Sequence, residues 1–113
     1  MKTSVIIQAV VEGVHHWSEC NLSSVFYLMN THRHQFYIKC KKQVNKLNRE
    51  IEIITLKKKI VSYLIATYYD KELGCCNFGG KSCEMLAEEL AKHFKLDVCS
   101  VLEDNENGAV VEL

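Results

Sequence analysis

A chain of 113 residues with 48% hydrophobic and 25% charged side chains has the composition of one globular domain, residues 1–113. Its formal net charge of zero excludes a strong electrostatic attraction to nucleic acid or to an anionic membrane, and no apolar run has the length of a membrane span. The N-terminus lacks the apolar core of a secretory signal, so we expect a cytoplasmic protein that binds neither nucleic acid nor membrane.

The first half of the chain predicts two strands joined by a long loop. Residues 4–14 are rich in β-branched side chains, and Gly13 near their end indicates a bulge or a close approach to the backbone. Residues 15–31 show no steady period and predict a loop that contains one short helical turn. Residues 32–44 include an alternating run of aromatic and branched side chains, which predicts a half-buried strand.

The middle of the chain predicts two helices. Thr55 is a suitable N-cap for a helix whose apolar side chains recur every three or four residues as far as about Tyr69. Residues 70–81 contain three glycines and predict a loop. Ser82 then caps a second helix, which ends near Lys95.

Two further strands, residues 97–102 and 109–113, end the chain. The dipeptide Asn107-Gly108 between them is a strong hairpin signal, so we expect the turn at residues 105–108. The order strand, strand, helix, helix, strand, strand predicts an α+β fold. In this fold two helices cover one face of a four-stranded antiparallel sheet.

Four of the five histidines lie within a window of twenty residues: His15, His16, His32 and His34. Because side chains at i and i+2 leave a strand on the same face, His32 and His34 present two adjacent imidazoles. Such a pair suits zinc, and either His15 or His16 can supply a third ligand from the end of the first strand. The alternative is a set of surface or hydrogen-bonded histidines that bind no metal.

Four segments of the chain resemble one enzyme family, in the order and on the elements that the family uses. They are residues 11–15 (Val-Glu-Gly-Val-His), 31–36 (Thr-His-Arg-His-Gln-Phe), 82–87 (Ser-Cys-Glu-Met-Leu-Ala) and 101–105 (Val-Leu-Glu-Asp-Asn). The second resembles the family's His-Gly-His block, and the third resembles the Thr-x-Glu-Asn-x-Ala start of its second helix. The chain thus resembles the 6-pyruvoyl-tetrahydropterin synthases and the related 6-carboxy-tetrahydropterin synthases, which have the tunnelling fold.

This resemblance implies a zinc-dependent lyase that acts on dihydroneopterin triphosphate or a related pterin. It implies that His15, His32 and His34 bind Zn²⁺, and that Glu103 anchors the pterin by accepting hydrogen bonds from its amino-pyrimidine edge. It also implies a homo-oligomer, a hexamer built from two trimers, in which Glu103 of one chain lies near the metal of another. The open edges of a small sheet favour such an assembly.

Besides the arginine that replaces glycine at Arg33, two departures concern the family's acid/base residues. The segment before His32 lacks the family's catalytic cysteine, and the nearest thiol is Cys20. The family's Asp-His pair corresponds to Asp70-Lys71, with lysine in place of histidine. Cys20, Glu19 and Lys71 are the candidates for a replacement acid or base, with Asp70 retained. We expect zinc and pterin binding to be kept, and conversion of dihydroneopterin triphosphate to be weak or altered.

Two alternatives to an enzyme follow from the same residues. One is a zinc- or pterin-binding homologue without catalysis. The other is an interaction module whose structural zinc site is closed by Cys20 as the fourth ligand. Turnover of substrate separates the first alternative from an enzyme, and sulfur at the fourth metal position identifies the second.

Overall fold

Two helices pack on one face of a six-stranded mixed sheet in the computed structural model, which describes residues 1–113. The strands are β1 (Thr3–His15), β2 (His32–Val44), β3 (Tyr69–Asp70), β4 (Cys75–Asn77), β5 (Val98–Glu103) and β6 (Asn107–Glu112). The helices are α1 (Ile53–Tyr68), α2 (Cys83–Phe94) and a short 3-10 helix (Ser23–Met29). The predicted α+β class is confirmed. None of these helices is long and apolar enough to cross a membrane.

The predicted four-stranded antiparallel sheet is wrong in the number and in the direction of its strands. The observed order is β3-β4-β1-β2-β5-β6, and β4 runs parallel to β1, with Gly13 opposite Cys76. The two additional strands are β3 (Tyr69–Asp70) and β4 (Cys75–Asn77). We expected a loop over residues 70–81, so β3 begins just before that segment and β4 lies inside it. They contain two and three residues, too few for an alternating pattern to be recognised in the sequence.

Gly13 stands near the end of β1 because an aromatic ring occupies the space of a side chain. A Cβ atom at this position would lie 2.4 Å from Cε2 of Phe78. The same glycine pairs with His34 in β2 and with Cys76 in β4. The close approach expected at Gly13 is therefore confirmed, and Phe78 is its partner.

The hydrophobic core lies between the sheet and the two long helices. Its members include Ile7, Val11, Phe36 and Ile38 from the sheet, Ile60 and Leu64 from α1, and Leu86 and Leu90 from α2. These side chains follow the two-residue period of the strands and the three-to-four-residue period of the helices. The opposite face of the sheet carries no helix, and Ile6, Val10 and Val110 remain about half exposed there.

The helix boundaries follow from their capping residues. The carboxylate of Glu52 accepts hydrogen bonds from the backbone N–H groups of Ile54 and Thr55, so Glu52 is the N-cap of α1 and the predicted cap at Thr55 is wrong. Helix α2 begins as predicted, because Ser82 Oγ accepts from the backbone N–H of Met85 at 3.2 Å.

The turn between β5 and β6 comes earlier than the Asn-Gly dipeptide predicts. Asp104 and Asn105 have φ angles of 54° and 58°, so the chain reverses before Asn107. Gly108 lies inside β6, where a Cβ atom would come within 1.9 Å of Val101 O. The glycine is required by strand packing, and the turn is made by two residues whose short polar side chains tolerate the left-handed region.

Candidate metal centre

Three histidines meet at one end of the β1–β2 hairpin. The register pairs His15, the last residue of β1, with His32, the first residue of β2, and it pairs Gly13 with His34. The ring centroids are 4.6 Å apart for His15 and His32, 5.5 Å for His15 and His34, and 5.0 Å for His32 and His34. The three side chains leave the sheet on the face that carries Phe36, so the register brings three imidazoles together.

Strand β5 adds a carboxylate to the three imidazoles. Glu103, at the end of β5, lies opposite Phe36 in β2. Its Oε2 atom is 2.8 Å from Nε2 of His15 and 3.1 Å from Nε2 of His34. One potential ligand atom from each of these residues and from His32 lies within 4.8 Å of the others, so the four residues could hold a metal ion. We call these four residues the ligand group.

The second ring nitrogen of each histidine binds an oxygen outside the ligand group. The acceptors are Lys81 O for His15 Nδ1 (2.9 Å), Asn30 O for His32 Nδ1 (2.8 Å) and Asp104 Oδ2 for His34 Nδ1 (2.7 Å). A carbonyl or a carboxylate oxygen only accepts, so each Nδ1 carries a proton. Outer contacts of this kind fix the tautomer and the orientation of metal-binding histidines.

One buried polar atom in the ligand group has no hydrogen-bond partner. It is Nε2 of His34, and Oε2 of Glu103 is 3.1 Å away from it. Because the proton of His34 is on Nδ1, these two atoms face each other as two acceptors. An unsatisfied buried polar atom costs roughly 1–3 kcal/mol. A cation between the two atoms would remove this cost, so the residues fit a metal ion.

Asp104 holds His34 and is itself held by the main chain. Its Oδ1 atom accepts from the backbone N–H of Gln35 at 3.0 Å. This hydrogen bond, together with the one from His34, lowers the pKa of Asp104 below its ordinary value. Asp104 is therefore a carboxylate over the physiological pH range and a constant acceptor for Nδ1 of His34.

A cleft of about 450 Å³ opens beside the ligand group. His15, His32 and Glu103 line one side of it. The remaining wall comes from the loop after β1 and from the start of α2, and includes Trp17 and Cys83. This volume is within the usual range of small-molecule sites, roughly 300–1,000 Å³. A small ligand in the cleft would therefore be in contact with the ligand group.

Of the two histidines considered for the third metal position, His15 belongs to the ligand group and His16 does not. His16 lines the cleft, and its backbone N–H donates to Gly79 O at 2.9 Å. His15 is the last residue of β1, and its side chain shares a face with the partner residue His32. The side chain of the next residue leaves the strand in a different direction.

Cys20 lies away from the ligand group and does not line the cleft. It is buried, and its thiol donates to Val25 O at 3.6 Å, across the start of the 3-10 helix. The backbone hydrogen bond from Trp17 N–H to Leu28 O, at 2.7 Å, closes the loop around it. Within a single chain, therefore, the thiol of Cys20 does not belong to the ligand group, either as an acid/base at the metal or as a fourth ligand.

Asp70 and Lys71 are also absent from the cleft lining. Asp70 Oδ1 accepts from the backbone N–H groups of Glu72 and Leu73, which closes a tight turn after β3. Leu73 O in this turn accepts from Arg33 at 3.2 Å, and the side chain of Arg33 leaves β2 on the face opposite to the histidines. The fold therefore separates this predicted acid/base pair from the metal-binding end of its own chain.

Glu103 is in a different place from the one that the resemblance implied. We expected it near the metal of a neighbouring chain, whereas it contacts His15 and His34 of its own chain. The reason is the pairing of β5 with β2, which sets Glu103 beside the strand that carries His34.

Cys83 is a thiol at this site that the sequence did not single out. It is the first residue of α2, is buried, and lines the cleft. Burial, followed by the charges of Glu103 and Glu84, raises the pKa of this thiol to about 12. The thiol is therefore protonated at neutral pH. The sequence did contain a signal for Cys83. This residue directly follows the predicted cap Ser82, in the segment that resembles the start of the family's second helix.

A polar network connects the cleft wall to both long helices. Lys81, whose backbone oxygen binds His15, donates through Nζ to Tyr68 Oη at 2.7 Å and to Glu89. Tyr63 and Tyr68 donate to Glu89 at 2.7 and 2.6 Å. Burial alone raises the pKa of Glu89, but the hydrogen bonds from these three donors outweigh burial and lower it. Glu89 in turn raises the pKa of Tyr63 to about 12.

Comparison of the chain with known protein families and with curated proteins finds no match.

Proposed function

We propose that this chain is a metal-dependent pterin-binding protein of the tunnelling fold, related to the 6-pyruvoyl- and 6-carboxy-tetrahydropterin synthases. Its ligand in this proposal is dihydroneopterin triphosphate or a related pterin. The observation that carries the proposal is the convergence of His15, His32, His34 and Glu103 beside a cleft. These are the same four residues that the family resemblance marks as zinc ligands and pterin anchor.

We propose zinc as the metal. Three neutral imidazoles form the protein ligand set of many catalytic zinc sites, and zinc also accepts a carboxylate oxygen. Bound zinc would supply Lewis-acid polarisation of an oxygen on the substrate. The chain's own contribution is to hold the three Nε2 atoms in place through Lys81 O, Asn30 O and the carboxylate of Asp104.

Glu103 and the cleft walls suit a flat heterocycle that donates hydrogen bonds. Glu103 lines the cleft, and a carboxylate can accept two hydrogen bonds from the amino-pyrimidine edge of a pterin. Trp17 and Met85 line the same cleft and provide apolar surface for a ring. This combination of one anchoring carboxylate and apolar walls supports a pterin as the ligand.

We further propose that conversion of dihydroneopterin triphosphate is weak or altered. Cys20, Asp70 and Lys71 lie outside the cleft of their own chain. A general base has to reach its proton directly or through one water. Cys83 does line the cleft, but its raised pKa leaves the thiol protonated at neutral pH. The position of Cys20, Asp70 and Lys71 outside the cleft favours a second candidate function, a zinc- and pterin-binding homologue without catalysis.

We propose that the protein is a homo-oligomer, a hexamer of two trimers as the resemblance implies. Two sheet edges support this: residues 3–12 of β1, beyond the short pairing with β4, and strand β6. The uncovered sheet face also carries the exposed apolar side chains Ile6, Val10 and Val110. Pairing of β1 in one chain with β6 in the next would close both edges, and closure of the paired sheets into a barrel would enclose one of their faces.

Metal analysis tests the metal site. Protein purified without added zinc is expected to contain one zinc per chain, and His34→Ala is expected to lose it. Arg33→Ala is the matched control, because Arg33 precedes His34 in sequence but pairs with Glu12 on the opposite face. Metal-free wild-type protein, or normal zinc content in His34→Ala, would contradict the metal site.

Calorimetric titration tests the ligand class. We expect zinc-loaded wild-type protein to bind neopterin and Glu103→Ala to lose this binding, with Arg33→Ala again as the control. Circular dichroism of each variant shows whether its fold is retained. Zinc-loaded wild-type protein that binds no pterin would contradict the proposed ligand while leaving the metal site intact.

A further inference from the structure

The position of Glu103 is set by the sheet and by the turn that follows. Glu103 is the last residue of β5 and lies opposite Phe36. Its backbone oxygen accepts from the N–H of Glu106 at 2.9 Å, and the N–H of Asp104 donates to Gln35 O at 2.8 Å. Strand pairing and the turn therefore hold the main chain on both sides of Glu103, so the fold itself places this carboxylate among the histidines.

The distances around Glu103 are hydrogen-bond distances and are shorter by a few tenths of an ångström than those between two ligands of one metal ion. In a tetrahedral zinc site with bonds of about 2.0–2.1 Å, neighbouring ligand atoms are roughly 3.3–3.4 Å apart. Oε2 of Glu103 lies 2.8 Å from Nε2 of His15 and 3.1 Å from Nε2 of His34. The carboxylate oxygen is slightly closer than a second ligand would be, and a small relaxation makes room for an ion.

The hydrogen positions explain why a cation fits better than a proton. His15 Nδ1 already donates to Lys81 O, so the contact of His15 Nε2 with Glu103 needs one proton between the two atoms. That proton makes no hydrogen bond with Nε2 of His34, which is buried and has no hydrogen-bond partner. One divalent cation would replace the proton and would satisfy both nitrogens and the carboxylate together.

We propose that Glu103 is the fourth ligand of the metal when no substrate is bound, and that a ligand entering the cleft displaces it. This inference rests on the proposed function, because Glu103 then exchanges its metal contact for the hydrogen bonds of the pterin. The fourth position is the one that a catalytic three-histidine site keeps for its substrate. The side chain of Glu103 is 28% exposed and lines the cleft, so it has room to turn away from the metal.

Substitution of Co²⁺ for zinc tests this proposal without an activity assay, since its visible absorption reports its ligands and it accepts the same nitrogen and oxygen donors. We expect Glu103→Gln to change the visible band and to weaken Co²⁺ binding at least about tenfold. Glu106→Gln, an exposed position in the same turn, is the matched control and is expected to behave as wild type. Neopterin added to wild-type protein is expected to shift the band.

The outcomes separate this proposal from the proposed function. Identical spectra and Co²⁺ affinities for wild type and Glu103→Gln, with one cobalt per chain, would overturn Glu103 as a ligand and leave the three-histidine site in place. A wild-type band unchanged by neopterin, when calorimetry shows that neopterin binds, would overturn the displacement. Wild-type protein that binds no Co²⁺ would contradict the proposed function itself. Circular dichroism identifies any variant that has failed to fold.

Discussion

The proton on Nδ1 decides, for each histidine of the ligand group, which nitrogen is available to a metal. In His34 this proton is held by Asp104, whose carboxylate also accepts from the N–H of Gln35. Asp104 is not itself a member of the group, yet it determines that Nε2 of His34 carries a lone pair. An outer contact of this kind acts through orientation and not through a bond to the metal.

Asp104→Ala is expected to weaken zinc binding about 10- to 100-fold, which is the usual effect of removing the outer partner of a metal-binding histidine. Competition with a chromogenic zinc chelator measures the affinity. Glu106→Gln, two residues further along the same exposed turn, controls for the loss of a negative charge. Equal affinities for Asp104→Ala and wild type would show that the orientation of His34 does not depend on Asp104.

Cys20→Ala is expected to keep one zinc per chain and an unchanged zinc affinity. The reason is that Cys20 donates to Val25 O within its own loop and is outside the ligand group. A modest loss of stability is expected, since a buried thiol is removed. Loss of zinc from a variant that remains folded by circular dichroism would restore Cys20 as a ligand.

At the scale of elements, the metal-binding end depends on how β1, β4 and α2 pack. Gly13 connects these elements, because its missing side chain lets the ring of Phe78 lie against the strand directly before His15. The segment after Phe78 then places Lys81 O within hydrogen-bond distance of Nδ1 of His15. Gly13, which is required by its packing against Phe78, thus contributes to the geometry of the metal centre.

Gly13→Ala is expected to destabilise the protein by about 1–3 kcal/mol, the usual range for overpacking a core. Urea unfolding followed by circular dichroism gives the free energy. The double variant Gly13→Ala/Phe78→Leu is expected to be less destabilised than the sum of the two single variants, because the smaller side chain relieves the clash. Additive losses would show that the added methyl group does not contact Phe78.

The network between α1 and α2 predicts how stability depends on alkaline pH. Glu89 raises the pKa of Tyr63 to about 12 in the folded chain, against about 10 for an unperturbed tyrosine. Between these two values the unfolded chain has lost a proton that the folded chain retains, so this contribution to stability falls as the pH rises. Below the unfolded value the contribution is fully present.

Tyr63→Phe is therefore expected to lose less stability than wild type between pH 9 and pH 11. Urea unfolding at several pH values provides the comparison. Tyr37→Phe is the control, because Tyr37 lies on the uncovered face of the sheet and has no part in the network. Parallel stability curves for wild type and Tyr63→Phe would contradict the hydrogen bond to Glu89 as the cause.

At the scale of the whole molecule, one face and two edges of the sheet are without cover. Val10→Lys is expected to reduce assembly, because it places a charge in the middle of the uncovered face, where Val10 is 52% exposed. Sedimentation equilibrium measures the mass. Ile54→Lys is the matched control, since Ile54 is similarly exposed but lies at the start of α1. A wild-type monomer at micromolar concentration would contradict the oligomer.

The long elements and part of the metal centre are readable in the sequence because they depend on local period. β2 and α2 begin as predicted, since alternation and a serine cap are properties of neighbouring residues. The shared face of His32 and His34 follows from the same alternation. Strands of two or three residues have no period to read, and β3 and β4 were missed for that reason.

The sequence by itself therefore determined the α+β class, the main elements and a pair of adjacent imidazoles. Only the tertiary structure decided which distant residues join them. Lys81 and Glu103 are 66 and 88 residues from His15 in sequence, and they reach it through the segment before α2 and the pairing of β5 with β2. Strand register and helix packing are properties of the folded chain, so no local pattern could show that Glu103 contacts the histidines while Cys20 does not.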